Sequence, residues 1–157
     1  MLSALISIIG IFIGLFIASY TGEELKDGKK YFFILQIIIL LSLIVIVLLI
    51  NFDFLFLSGL LFGLLIRREY LFFGILVFSN FSNNISFLIN SLIFIYSLAY
   101  GSLIYLNKNF KYIIFDVILF LIPLTLYFLK FDIVSFAAGS LISILGVKTV
   151  NLIKFSK

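Results

Sequence analysis

The chain has no cysteine, no histidine and a single proline in 157 residues. Without cysteine it has no disulfides, no thiolate nucleophile and no cysteine metal ligands. Without histidine it lacks the commonest metal ligand and the commonest general base. It also has no Gly-x-Ser-x-Gly motif and no acidic cluster with metal spacing. We therefore expect no enzyme activity, no catalytic residues, no metal and no cofactor.

Charge is also scarce, at 11% of residues, whereas 64% are hydrophobic. Soluble domains are about 25% charged and about 45–50% apolar. Apolar runs of 18 or more residues predict membrane spans. The sequence thus predicts an all-α, polytopic transmembrane helical bundle in the cell membrane, with residues 1–157 forming one membrane domain in the lipid bilayer. The net charge of +4 does not suggest a nucleic-acid partner, because the basic residues lie at the span ends.

The hydrophobic runs predict seven spans joined by very short loops. The predicted spans are 2–20, 31–50, 53–66, 70–83, 86–106, 112–129 and 133–153. The fourth is short, and merging 70–106 into one span would leave six. The positive-inside rule favours seven, with the N-terminus outside and the C-terminus cytoplasmic, because nearly all Lys and Arg then face the cytoplasm.

A repeat is visible in the same runs. Tyr31, Tyr70 and Tyr112 each open an outward-going span, and each following span carries a similar Gly-x-Leu-Ile segment. This pattern suggests three tandem helical hairpins after a leading helix. The alternative is that the tyrosines are ordinary anchors at the membrane interface.

Small residues four apart recur in every odd-numbered span. This spacing places both residues on one helix face, where two backbones can approach closely. We therefore predict that the odd helices form a close inner cluster, and that the second and sixth helices face more lipid. The small residues are Gly10, Gly14, Gly59, Gly63, Ser97, Gly101, Ser135 and Gly139.

Two charges fall inside predicted spans at the same depth, Asp116 in the sixth and Lys148 in the seventh. Intramembrane charges are costly unless paired, so we predict an intramembrane ion pair between them. The functional interpretation of these charges is an ion pathway or proton coupling. The structural alternatives are an ion pair that holds two helices together, or a lysine that snorkels to the membrane interface. A second polar group, at the outer ends of the fourth and fifth spans, would either line a polar pocket or cap the turn. It consists of Asn80, Asn83, Asn84 and Asn90.

The largest polar surface lies in the loops predicted to be cytoplasmic, and a partner protein is expected to dock there. Its residues are Glu23, Glu24, Asp27, Arg67 and Arg68. These loops and the close-packing motifs predict a non-catalytic subunit or scaffold of a membrane complex, with a membrane-protein partner or as a homo-oligomer. The alternative is a small transporter or channel for an ion or small solute. The intramembrane charges support this alternative. A lipid-modifying enzyme, with the loop acids holding a metal, is the least supported function.

Overall fold

The computed structural model describes residues 2–22, 24–79, 81–125 and 133–155, and this part of the chain is helical without strands. Glu23, Asn80 and the end of the sixth predicted span lie outside the described residues. Long apolar runs form helices because a helix satisfies its own backbone hydrogen bonds. Seven helices lie within the described ranges: α1 (Leu2–Tyr20), α2 (Glu24–Ile50), α3 (Leu55–Ile66), α4 (Glu69–Phe78), α5 (Asn83–Asn107), α6 (Lys111–Leu121) and α7 (Val134–Phe155).

The helices follow the seven predicted spans in order, but they differ greatly in length. Helices α4 and α5 are separate, so residues 70–106 do not form one continuous helix. Among the described residues, α2 and α5 are long and apolar enough to cross a membrane. Helices α3 and α4 have 12 and 10 residues. The structure therefore establishes a helical bundle. It does not by itself establish seven membrane crossings.

Two helix pairs pack closely through glycine. A Cβ at Gly10 or Gly14 of α1 would come closer than 3.0 Å to the backbone carbonyl of Phe94 or Leu98 in α5. Residue numbers rise together along the two helices, so α1 and α5 run parallel. Helices α3 and α7 meet in the same way, with Gly59 against Phe136, Gly63 against Ser140 and Gly139 against Phe56.

The contacts of these two pairs match residue for residue. Gly101 of α5 lies against Ile11 and Leu15 of α1, and a Cβ there would be 3.1 Å from the Leu15 nitrogen. The corresponding distance from Gly139 of α7 to the Leu60 nitrogen is also 3.1 Å. The packing of α1 against α5 is therefore repeated in the packing of α3 against α7.

A serine hydroxyl supports each crossing. Ser102 Oγ lies 3.3 Å from the Gly14 carbonyl and 3.1 Å from the Leu98 carbonyl of its own helix, so its proton is shared between them. Ser140 Oγ is shared in the same way, at 2.9 Å from both the Gly59 and the Phe136 carbonyl. Hydrogen bonds of this kind strengthen helix contacts where apolar packing alone gives little preference. Ser97 and Ser135, the remaining small residues of the predicted pattern, are buried.

The predicted inner cluster of odd helices is wrong, because α4 occupies the centre of the bundle. Nine of its ten residues are buried, and it contacts α5, α6 and α7. Gly74 lets it approach the Phe120 carbonyl of α6. Helices α1 and α3 are peripheral instead, with exposed side chains such as Phe16 and Leu65. Because nearly every position is apolar, hydrophobicity does not distinguish the helix faces that contact protein from the others.

Candidate functional site

The chain turns sharply between α3 and α4 and places three charged residues at one end of the bundle. Arg67 closes α3 in the left-handed conformation (φ 47°, ψ 29°), and its N–H donates to the Gly63 carbonyl. Arg68 is extended, and Glu69 begins α4. A left-handed residue commonly ends a helix. The short joint therefore points Arg68 and Glu69 toward the neighbouring helices.

Arg68 forms an ion pair with Asp116 of α6. Its Nη1 lies 3.5 Å from Asp116 Oδ1, and Tyr100 of α5 donates its hydroxyl to Asp116 Oδ2 at 2.6 Å. The Asp116 side chain is 1% exposed. The Arg68 guanidinium also lies over the ring of Tyr112, 4.6 Å from its centre. The carboxylate is thus buried with two donors, as a buried charge requires.

Lys148 of α7 forms a second ion pair, with Glu69. Its Nζ lies 2.9 Å from Glu69 Oε1 and donates to Gln36 Oε1 of α2, also at 2.9 Å. It donates as well to the hydroxyl of Tyr96. All three N–H groups of the ammonium thus have an acceptor. This second cluster joins α2, α4, α5 and α7.

The direct ion pair predicted between Asp116 and Lys148 is therefore replaced by two others. The sequence placed both charges at the same depth, which is consistent with their positions. It did not show that α4 would insert between α6 and α7 and bring Arg68 and Glu69 to meet them. Glu69 lies between the predicted third and fourth spans, 53–66 and 70–83, where an exposed loop residue would be expected, yet it is 7% exposed.

A cavity of about 460 Å³ lies over these ion pairs. Four of its lining residues carry a positive charge and one carries a negative charge. Lys29 of α2, at its rim, donates to Asn107 Oδ1 of α5 at 3.1 Å. The cavity is lined by Lys29, Phe33, Gln36, Arg67, Arg68, Glu69, Tyr100, Leu103, Ile104, Asn107, Asn109, Tyr112 and Lys148.

Sequence reasoning missed two of the tyrosines of this site. Tyr96 and Tyr100 are one helical turn apart on α5, and Tyr96 is fully buried. Their spacing is the signal that could have found them, because a tyrosine hydroxyl within an apolar helix needs a hydrogen-bond partner. Gln36 is a polar residue within the predicted second span, 31–50, but nothing in the sequence identifies Lys148 as its partner.

The predicted docking residues do not all belong to one surface. Glu24 and Asp27 are exposed in the first turn of α2, and Arg67 is exposed at the α3–α4 joint. Arg68 instead turns inward to Asp116, with 30% of its side chain exposed. The described part of the predicted docking surface is therefore Glu24, Asp27 and Arg67.

The predicted outer asparagine cluster is not gathered into one pocket. Asn83 and Asn84 are exposed at the start of α5. Asn90 lies about two turns further along and is buried, donating to Ser86 Oγ at 3.4 Å. It lines a small cavity of about 260 Å³ between α1 and α5 that is otherwise mainly apolar. Asn83 and Asn84 are the first two residues of α5, and its N-cap residue Ser82 makes no side-chain capping bond, so the predicted capping role of these asparagines stays a prediction.

Comparison with known proteins finds no matching family model, no matching curated protein and no matching solved structure. Fold and function must therefore be argued from this chain's own residues.

Proposed function

We propose that the chain crosses the cell membrane seven times, with the N-terminus outside and the C-terminus cytoplasmic. The predicted three tandem hairpins do not appear as packed helix pairs among the described residues, because α2 packs mainly on α5 and α7 and not on the following helix α3. Seven consecutive spans alternate in direction, so α1 should run parallel to α5 and α3 parallel to α7. The structure has both of these parallel pairs, which supports the seven crossings. Exposed apolar side chains such as Phe16, Leu61 and Ile114 on the outer helices suit contact with lipid. The short helix α4 is enclosed by its neighbours and needs little lipid contact of its own.

The charged joints support the proposed orientation. The contact between Lys29 and Asn107 brings the α1–α2 and α5–α6 joints to one end, and the shared cavity adds the α3–α4 joint. These joints carry the basic residues, as cytoplasmic loops do. Single cysteines replacing Asp27, Asn109, Asn51 and Asn83 test the orientation with a membrane-impermeant maleimide in intact cells. Positions 51 and 83 should be labelled and positions 27 and 109 protected; opposite labelling of 27 and 109 would disprove the topology.

Within this membrane protein, we propose that the charged cavity binds a small anionic solute, so that the chain acts as a small transporter without catalytic chemistry. The supporting observation is the cavity itself, where charged side chains of α2, α7 and the α3–α4 joint converge over two buried ion pairs. Such clusters mark solute and ion pathways in membrane proteins. Beyond Glu69, α4 continues with Phe72, Phe73 and Leu76, all fully buried. These buried side chains support a cavity that is closed toward the centre of the bundle, as alternating access requires.

A scaffold function is the second candidate, because Glu24, Asp27 and Arg67 stay exposed at the same end as the cavity. Native mass spectrometry of the particle extracted gently from its own membrane separates the two functions. A single chain or homo-oligomer that carries a small bound anion supports transport. A stable hetero-complex that crosslinks through residues 24–27 and carries no small molecule would overturn it in favour of the scaffold.

A further inference from the structure

Gln36 has a buried amide nitrogen that finds no hydrogen-bond partner within the described ranges. The residue is 1% exposed and lines the charged cavity. Its Oε1 accepts from Lys148, whereas its Nε2 has no acceptor among the residues that the structure describes. Exchanging the two amide atoms would place NH₂ against the Lys148 ammonium, where two donors would meet. The contact with Lys148 therefore fixes the orientation of the Gln36 amide. In this orientation the NH₂ group of Gln36 still needs an acceptor.

The carboxylates around the cavity already have partners. Glu69 accepts from Lys148, and Asp116 accepts from Arg68 and Tyr100. A buried donor without an acceptor destabilises the folded protein, because the group has lost its hydrogen bonds to water. A bound group that brings its own acceptor oxygens would relieve this cost.

The start of α4 offers further donors at the same cavity. Helix α4 has ten residues, and its N-cap residue Arg68 makes no side-chain capping bond. The first backbone N–H groups of a helix have no partner within it, and the helix dipole adds partial positive charge there. Arg67, beside this helix start, forms no ion pair within the described residues and lines the cavity.

We propose that the cavity binds the phosphate group of its ligand, held by Gln36 Nε2, the N-terminus of α4 and the guanidinium of Arg67. This inference rests on the proposed function and names the chemical class of its solute. A phosphate presents three or four oxygens in a tetrahedral arrangement, so it can accept from α2 and from the α3–α4 joint together. A carboxylate has only two oxygens in one plane and would satisfy fewer of these donors. The phosphate belongs either to a soluble compound or to a lipid headgroup.

The test is the binding of inorganic phosphate by the purified full-length protein, measured by isothermal titration calorimetry at constant ionic strength against chloride. Saturable binding is expected for the unaltered protein. Gln36→Glu keeps an acceptor for Lys148 but removes the donor and adds a negative charge, so it should abolish binding. Arg67→Gln, at an exposed position, should weaken binding at least about tenfold through loss of a charge-assisted hydrogen bond. Lys26→Gln, an exposed change on α2 outside the cavity lining, is the matched control and should leave binding unchanged.

A second arm distinguishes the two sources of phosphate. The protein in phosphatidylcholine nanodiscs is compared with the protein in nanodiscs that also contain phosphatidic acid, and retained lipid is measured by native mass spectrometry. Retention of phosphatidic acid that is lost in Gln36→Glu indicates a lipid headgroup. Binding of inorganic phosphate alone indicates a soluble ligand. Binding of neither probe, or equal binding by Gln36→Glu, overturns the phosphate inference, while another anion found in the native particle would leave the transport proposal standing.

Discussion

Two alanine substitutions on α7 provide a stringent test of the helix crossings. Gly139 and Gly146 lie two turns apart on the same helix. A Cβ at Gly139 would overlap the Phe56 carbonyl and lie 3.1 Å from the Leu60 nitrogen, whereas a Cβ at Gly146 would meet nothing within 4 Å. Gly139→Ala must therefore force α3 and α7 apart, and Gly146→Ala need not move anything.

The difference in stability between the two variants can be estimated from these contacts. Overpacking costs about 1–3 kcal/mol. Separation of the helices also stretches the hydrogen bonds from Ser140 to Gly59 and from Ser143 to Leu60, now 2.9 and 2.6 Å. Each such bond contributes about 0.6 kcal/mol in a membrane protein. The change in helix propensity from Gly to Ala is the same in both variants and cancels. Gly139→Ala should therefore be about 2–4 kcal/mol less stable than Gly146→Ala.

Reversible unfolding in mixed micelles, followed by circular dichroism during titration with dodecyl sulfate, measures this difference. Equal free energies of unfolding for the two variants, within about 0.5 kcal/mol, would refute the close crossing. Gly101→Ala gives an independent check, because Gly101 meets Ile11 and Leu15 as Gly139 meets its own partners. Its loss of stability should match that of Gly139→Ala.

Three further predictions concern the buried charges. Tyr100→Phe removes the 2.6 Å hydrogen bond to Asp116 and should cost about 1.5–3 kcal/mol in unfolding free energy, whereas Tyr105→Phe, which removes no described hydrogen bond, should cost much less. Lys148→Met leaves the Glu69 carboxylate buried without its cation and should cost about 3–5 kcal/mol; adding Glu69→Gln should restore part of that loss. In double-mutant cycles, Lys148 should couple more strongly to Glu69 than to Asp116, and the reverse order would contradict the pairing seen here.

Much of the secondary structure could be predicted because it depends on local properties of the chain. The long apolar runs predict helices, and short polar joints such as that at Arg67 and Arg68 mark where they end. The positions of close approach were also visible, since Gly14 and Gly59 stand in a spacing that keeps one helix face small. Gly74, which has no partner at that spacing, was missed although it fits α4 against α6.

The identity of helix neighbours could not be predicted in the same way. A glycine pair shows that a face is flat, but not which helix will pack on it. The burial of α4 was equally hidden, because its residues Tyr70–Phe78 are no more apolar than those of the exposed helix α3. Only the three-dimensional packing of all the helices decides which apolar face meets protein.

The sequence by itself determined the helical class, the order of the helices, the gathering of basic residues at alternate joints and the small faces of α1, α3, α5 and α7. These properties follow from hydrophobicity, charge and spacing along a single stretch of chain. The tertiary structure alone decided that Asp116 pairs with Arg68, that Lys148 pairs with Glu69, and that Gln36 lies against the cavity with an amide nitrogen that has no acceptor among the described residues. Those contacts join residues far apart in the chain, and they form because each buried charge must find a partner among the helices that pack beside it.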